Sequence, residues 1–330
     1  MRSEIGKEIL YLSEPDVKAC LNMKKAIKLC EEGERLTGYG EASDDKFYLP
    51  IQKDLVFKPF AGYIKSKDIV AAKIFTLAKD NPSKGLPAST SVGLIYDAKT
   101  LIPLAILDAN WLTGIKVGAS SAVAAKYLSK KNSSVVGIIG AGLQGRTHLE
   151  GLNEIFKLKE VRVADNIQAS REQFAKEIRE KFNINVIAVD SIEKAVKGAD
   201  IVVTVTTADE PLIKKEWIEP GMTIIKIGSY QEIDLEIITE ADKIVVDKWE
   251  FVSHRSKEII ELLKAGKITR QNIYSEITEI VAGKKVGREN DEETIIFIAL
   301  GMGGDYVAIF SDLYKTAKEL EVGNKLTFLN

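Results

Sequence analysis

The chain has 330 residues, 45% of them hydrophobic and 28% charged, with a formal net charge of -2. That length buries a large core and suits two domains, while the near balance of charge, with no block of lysines interleaved with aromatics, excludes a nucleic-acid-binding protein. The longest apolar stretches, Val135–Leu143 and Ile295–Met302, fall far short of the roughly 20 residues of a membrane span, and the charges at Arg2, Glu4, Lys7 and Glu8 occupy the place of a signal peptide's apolar core, which points to the cytoplasm.

From Asp16 to about Leu36 the spacing predicts one amphipathic helix, with Cys20, Met23, Ile27 and Cys30 on its apolar face as buried thiols rather than a disulfide or catalytic pair. Gly38-Tyr39-Gly40 ends it. Residues 45–110 then hold short β-type runs, Leu49–Ile51, Leu55–Phe57, Tyr63–Ile64, Val70–Thr76, Ser91–Tyr96 and Pro103–Asp108, divided by Pro, Gly, Asn and Asp. They predict a mostly antiparallel sheet and so an α+β domain. A helix of small residues, Gly118–Ala125, follows, and its lack of bulk suits close packing between domains.

Val135–Ile139 reads as a buried strand running into Gly140-Ala141-Gly142-Leu143-Gln144-Gly145 and then a helix from Gln144 to about Phe156. The G-x-G-x-x-G order is what a dinucleotide needs: a tight turn at Gly140, bare backbone at Gly142 for the pyrophosphate, and close helix–strand packing at Gly145. The helix N-terminus then turns free N–H groups to the phosphates. A second apolar strand, Val161–Ala164, ends in Asp165, twenty residues after Gly145. A carboxylate there accepts hydrogen bonds from both ribose hydroxyls and repels the extra phosphate of NADP, which favours NAD; the alternative is a cap on the helix that starts near Ala169.

After Asp165 the alternation continues with a helix at 169–181, strand 185–189, helix 191–197, and strands 200–205, 223–227 and 243–246, which predicts a parallel, doubly wound sheet. Ligands of such sheets lie beyond the carboxyl ends of the strands. Topology therefore brings Thr206, Thr207, Gly228, Ser229 and Asp247 to the cofactor, with capping as the alternative for each hydroxyl. The last part reads as helix again, the apolar run Thr294–Leu300 and Asp305–Leu320, interrupted by Gly301-Met302-Gly303-Gly304. The two histidines, His148 and His254, stand in no Cys/His cluster, so no metal is expected.

Taken together, Tyr11-Leu12-Ser13, Pro59–Tyr63, Ala72-Lys73-Ile74, Leu107-Asp108-Ala109-Asn110-Trp111-Leu112-Thr113, Gly118–Ala122, the glycine loop, Ile227-Gly228-Ser229-Tyr230 and Gly301–Asp305 resemble the ornithine cyclodeaminase/mu-crystallin family over nearly the whole length. That family includes archaeal alanine dehydrogenases and ketimine reductases. The resemblance implies an α/β protein: a Rossmann-type doubly wound parallel sheet over residues 127–304, and an α+β substrate-binding and dimerisation domain from residues 1–126 with 305–330. It further implies a homodimer built through that first domain, with a small amino or imino acid held between the two domains. NAD would be bound by Gly140, Ala141, Gly142, Leu143, Gln144, Gly145, Asp165, Thr206, Thr207, Gly228, Ser229 and Tyr230.

Lys73 matches the family lysine that sits over the nicotinamide and contacts the substrate carboxylate. Its strand is apolar at Ala71, Ala72, Ile74 and Phe75, which would bury its stem, and an ammonium at a strand end in a partly dry cleft binds carboxylate or shuttles a proton. Three departures stand out. Lys116 replaces a carboxylate-gripping arginine, a point charge in place of a planar fork. Tyr230 replaces the aspartate credited with proton handling in cyclodeaminases, and this shifts the reading toward simple imine/amine redox. An early arginine is missing from Lys46–Lys53, leaving Lys46, Gln52 and Lys53 as candidates in its place.

The resulting expectation is an NAD-dependent oxidoreductase moving hydride at the α-carbon of a small amino or imino acid. Lys73, Lys116 and Gln52 would touch the substrate, and Asp305 would orient the amine or the lysine, unless it is only a helix cap. The alternatives are ornithine or lysine cyclodeamination, or ligand binding without turnover.

Overall fold

A computed structural model describes residues 8–52, 54–208 and 210–329, so Lys53, one of the three candidates near the chain start, lies outside the described residues. The chain divides into two compact units. One ends at Lys116 and resumes at Met302; the other is Val117–Gly301.

The first unit opens with β1 (Glu8–Leu12), α1 (Glu14–Cys20) and α2 (Met23–Gly38). The single helix expected over 16–36 is therefore two. The break falls at Leu21-Asn22, where the Asn22 side chain accepts from the Lys25 backbone N–H and caps a new helix, while Ser13 and Asp16 form a capping box at the start of α1. Cys20 and Cys30 are buried free thiols, one on each helix. The strands are β2 (Ala42–Lys46), β3 (Leu49–Gln52), β4 (Leu55–Ile64), β5 (Ile69–Ala78), β6 (Ser89–Asp97) and β7 (Pro103–Asp108).

After Ala42, β2 is polar in sequence, which hides it from a hydrophobicity reading. β4 runs unbroken through Pro59, where a break was expected. The Pro59 carbonyl accepts from Phe47 N, so its missing N–H faces the β2 side beyond the last paired residue, Lys46, where no ladder bond is lost.

Helix α3 (Asn110–Leu128) runs on into the second unit. That unit contains β8 (Val135–Ile139), α4 (Leu143–Ile155), β9 (Glu160–Ala164), α5 (Gln168–Phe182), β10 (Asn185–Ala188), α6 (Ile192–Val196), β11 (Ile201–Thr204), β12 (Thr223–Ile227), α7 (Leu235–Thr239), β13 (Lys243–Val246), α8 (Trp249–Arg255), α9 (Lys257–Lys264), β14 (Ser275–Glu276), α10 (Ile277–Val281) and β15 (Ile295–Ala299). All its strands are parallel, in the order β10-β9-β8-β11-β12-β15-β13-β14. The winding direction reverses between β8 and β11, which opens a crevice at their carboxyl ends.

The run expected as helix near 294–300 is β15, set between β12 and β13 with all five residues buried. An interior parallel strand is covered on both faces and shows no alternation, so periodicity cannot separate it from a buried helix. Full burial of its isoleucines contributes about 1.5–3 kcal/mol each, enough to select the strand.

The small-residue helix makes a close approach within the second unit. A Cβ on Gly118 would stand 2.4 Å from the Thr147 carbonyl oxygen, so the bare surface of α3 seats α4 of the same unit. Ser121 and the ring of His148 bond across this contact at 3.0 Å, and His148 Nδ1 lies 2.7 Å from the Gln144 carbonyl. A carbonyl only accepts, so Nδ1 carries the proton and Nε2 accepts from the serine. Burial lowers His148 to about 4, keeping it neutral.

The chain returns to the first unit with α11 (Gly303–Glu319) and β16 (Asn324–Thr327), completing a sheet ordered β16-β1-β7-β6-β5-β4-β2 with β3 on β4. α11 packs on α2, β4 and β5. A glycine of α2 serves that approach: a Cβ on Gly33 would lie 2.9 Å from the carbonyl oxygen of Gly304 at the start of α11.

Candidate active site

Lys73 lies in the middle of β5, not at a strand end, and is 3% exposed. Cross-strand register sets its neighbours: Lys46 pairs with Phe60, Phe60 with Lys73, and Lys73 with Gly93, a row across β2, β4, β5 and β6. Its Nζ donates to Tyr306 Oη at 2.9 Å and approaches Thr113 Oγ1 at 3.4 Å. It also stands 5.0 Å from the Phe60 ring centroid and 4.7 Å from that of Tyr306. Burial, and then the like charges of Lys116, Lys46 and Lys58, hold Lys73 well below the usual lysine range. Tyr306 is pushed up to about 12 by burial, so it stays a phenol.

Lys116 and Asp305 form an ion pair of 2.7 Å with both side chains 1% exposed. Burial alone would depress Lys116, but the Asp305 carboxylate outweighs it and holds the ammonium above its ordinary range. Asp305 is the third residue of α11, whose N-cap is Met302, so its carboxylate answers to Lys116 and not to a cap. The Lys116 Nζ lies 5.1 Å from the Tyr306 ring, which joins the pair to Lys73. Of the two described candidates for the missing early arginine, Lys46 and Gln52, Lys46 is the one beside Lys73: its Nζ is 4.3 Å from the same Phe60 ring. Gln52 is exposed on β3 opposite Leu55.

In the second unit a cavity of about 690 Å³ opens at the β8/β11 crevice, and Gly140, Gly142, Asp165, Thr206 and Thr207 line it. Ala141, Leu143, Gln144, Gly145, Gly228, Ser229 and Tyr230 are not among its walls. Gly140 has φ of +108° and Gly145 touches it, a Cβ there meeting the Gly140 carbonyl oxygen at 2.2 Å, whereas a Cβ on Gly142 would meet nothing within 4 Å. Two glycines thus shape the turn and the third leaves open space before α4, a cradle that fits a pyrophosphate. Asp165 Oδ2 accepts from Ala141 N at 2.8 Å and Oδ1 from Ile167 N at 2.9 Å, so one carboxylate at the cavity wall also braces the glycine loop.

Thr206 is held by a group that sequence reasoning missed. Its N–H and Oγ1 both donate to Glu232 Oε1 at 2.7 Å, and Thr204 Oγ1 does the same. Burial holds Glu232 above the usual carboxylate range against those three donors. Behind it, Lys226 and Glu258 form a 2.8 Å pair at 0% exposure, and Lys226 also donates to the Gly228 carbonyl at 2.8 Å. The one available signal was Lys226 inside the apolar strand 223–227. Asp247, at the carboxyl end of β13 as expected from topology, accepts from Lys248, Leu300 and Gly301 N–H groups and ties β13 to the end of β15. Among the described residues, no group of three His, Cys, Asp or Glu could hold a metal ion, and no helix is long and apolar enough to cross a membrane.

A family model described as the ornithine cyclodeaminase/mu-crystallin family matches residues 7–321. The chain is 35% identical over 329 residues to an alanine dehydrogenase of Archaeoglobus fulgidus, covering 97% of this chain and 99% of that protein. Among solved structures it resembles the Thermococcus litoralis Delta(1)-pyrroline-2-carboxylate reductase in complex with NADH and L-proline, with a TM-score of 0.92 and 33% identity over 96% of this chain and 99% of that one. An archaeal alanine dehydrogenase dimer with bound NAD matches with the same TM-score and identity, over 98% of this chain and 100% of that one.

Proposed function

We infer the activity from one premise, that the chain belongs to the ornithine cyclodeaminase/mu-crystallin family: it is an NAD(H)-dependent oxidoreductase acting at the α-carbon of a small amino or imino acid. The observation that carries this is Lys73, a buried lysine of lowered proton affinity at a tyrosine hydroxyl, in the unit opposite in sequence order to a dinucleotide-type glycine loop. Gly140, Gly142, Asp165, Thr206 and Thr207 would hold NADH, which would supply the hydride. In the ammonium form Lys73 binds the substrate carboxylate, and Lys46 adds a second positive charge in the place of the missing arginine. Because its proton is loosely held, Lys73 also delivers one to the imine nitrogen, with Tyr306 Oη fixing the direction of its Nζ. Lys116, neutralised by Asp305, sets the field around Lys73 and orients Tyr306 rather than gripping the carboxylate itself.

Asp165 favours NADH over NADPH, since a second phosphate would face its carboxylate. Tyr230, where cyclodeaminases carry an aspartate, supports redox turnover over cyclising deamination. A homodimer through the first unit accords with the exposed Phe47, Leu49, Ile51 and Phe57 around β3 and β4, and a cytoplasmic setting accords with two free thiols. The test is NADH oxidation by the purified protein with pyruvate plus ammonia, pyruvate plus methylamine, and the five- and six-membered cyclic imino acids. Turnover of any of these supports the reading. Proline and ammonia formed from ornithine without net NADH change would replace it with the lyase.

A further inference from the structure

Glu232 is a fully buried carboxylate that the reaction as derived leaves unused, and it touches one wall of the cavity in the second unit at two places. Thr206, Thr207, Ala208 and Leu212 belong to that wall. At Thr206 the Glu232 side chain takes the backbone N–H and the hydroxyl, both at 2.7 Å on Oε1, which also takes the Thr204 hydroxyl at 2.7 Å. At Leu212 it is the Glu232 backbone carbonyl that accepts, from Leu212 N at 2.9 Å and from Ile213 N at 3.1 Å. The next residue, Ile233, forms a parallel bridge with Ile213. One residue between β12 and α7 thus fixes the wall where it leaves β11 and again where it turns back to the sheet.

Glu232 is itself anchored from behind. Its N–H donates to Glu258 Oε1 at 3.0 Å, while Glu258 Oε2 takes Lys226 Nζ at 2.8 Å and Ser256 Oγ at 2.9 Å. All three donors on the Glu232 side chain converge on Oε1; among the described residues Oε2 has no hydrogen-bond partner. The carboxylate is therefore aimed at the threonines and not spread through the core. Proton accounting then sets what Thr206 shows to the cavity. A hydroxyl has one proton, and that of Thr206 is spent on Oε1, while its Oγ1 accepts from Ala208 N at 3.1 Å. What remains on Thr206 Oγ1 is an acceptor, which suits a hydroxyl or amide N–H of a nucleotide and not a phosphate oxygen.

We propose that Glu232 is a positioning residue for the dinucleotide: it clasps the cavity wall at Thr206 and Leu212 and makes Thr206 an acceptor-only contact for a donor group of NADH. This rests on the proposed binding of NADH at this cavity. A wall fixed before the ligand arrives spares the cost of ordering it on binding. Glu232 touches neither the cofactor nor the reacting atoms, and it makes or breaks no bond in the reaction.

The test is NADH titration, read by fluorescence, of the native protein, Glu232→Leu, Glu232→Gln, Thr206→Val and the double variant Glu232→Leu/Thr206→Val, each well below its melting temperature. The proposal expects Glu232→Leu to weaken NADH by about 10-fold or more and Glu232→Gln to recover most of that, because its amide oxygen accepts the same three donors. Thr206→Val should weaken NADH by about 3-fold or more, and the double variant should lose less than the product of the two single losses, since one acts through the other. A Glu232→Leu protein that folds and binds NADH as the native one does overturns the proposal, as do single losses that simply multiply. Should Glu232→Leu fail to fold, Thr206→Ser against Thr206→Val decides: serine keeps the N–H and the hydroxyl, so it should bind NADH within about 2-fold of the native protein, and equal weakening by both overturns the proposal. A native protein that binds no NADH overturns the dinucleotide reading itself, and the proposal with it.

Discussion

The Lys116–Asp305 pair makes the sharpest energetic prediction, because both members are 1% exposed and 2.7 Å apart. Asp305→Asn keeps the shape and removes the charge, leaving an ammonium with no counter-ion in a site that water does not reach. Breaking a buried pair from one side costs about 3–5 kcal/mol, a large part of the roughly 5–15 kcal/mol that holds a typical domain together. Lys116→Met leaves the carboxylate instead, and burial raises the proton affinity of that group. Its folded-state affinity then exceeds its unfolded one, so the cost is full at neutral pH and shrinks as pH falls through the raised value. Removing both charges together should recover much of the loss, with a coupling of about 2 kcal/mol or more. The assay is urea unfolding of the native protein, both single variants and the double variant at pH 7, with Lys116→Met repeated at pH 5. A coupling below about 0.5 kcal/mol, or an Asp305→Asn protein as stable as the native one, would refute the pairing.

Three further outcomes follow from the second unit. Gly142→Ala meets no protein atom and should fold normally while weakening NADH binding about 10-fold or more, whereas Gly145→Ala collides with the Gly140 carbonyl and should lose stability as well; fluorescence titration beside thermal unfolding separates the two, and equal behaviour would refute the division of roles. Asp165→Ser should weaken NADH and relax discrimination against NADPH, read from the ratio of their KM values; native protein that prefers NADPH would refute the ribose role. His148 is neutral in the fold with its proton affinity lowered to about 4, so the unfolded chain binds the extra proton. Its stabilisation is complete above about pH 6.5 and is lost between there and about pH 4, a fall that Gln in its place should flatten in unfolding curves across that range.

Much of the dinucleotide half was legible because its signals are local. The glycine turn, the strand before it and Asp165 lie within one short stretch, and each is dictated by backbone geometry at its own position. β15 was not legible as a strand, since a segment buried on both faces carries no period to read. β2 was hidden for the opposite reason, four of its five residues being polar, and with it the means of choosing Lys46 over Gln52. The lysine face needed register. Phe60, Lys73 and Phe75 share a neighbourhood only once β4 and β5 are aligned, and no spacing along the chain announces that Tyr306 reaches Lys73. The Lys116–Asp305 pair is equally non-local, so each residue alone read as a free ligand or a cap.

Lys73 and Tyr306 are 233 residues apart in the chain, and the whole of the second unit is translated between them. At about 5–20 residues per second a ribosome takes roughly 10–50 s to cover that interval. Once Gly301 has been made, the second unit has all of its strands in hand, while the strand bearing Lys73 still has neither its tyrosine nor the helix that covers it. Synthesis therefore completes the second unit before the first can close.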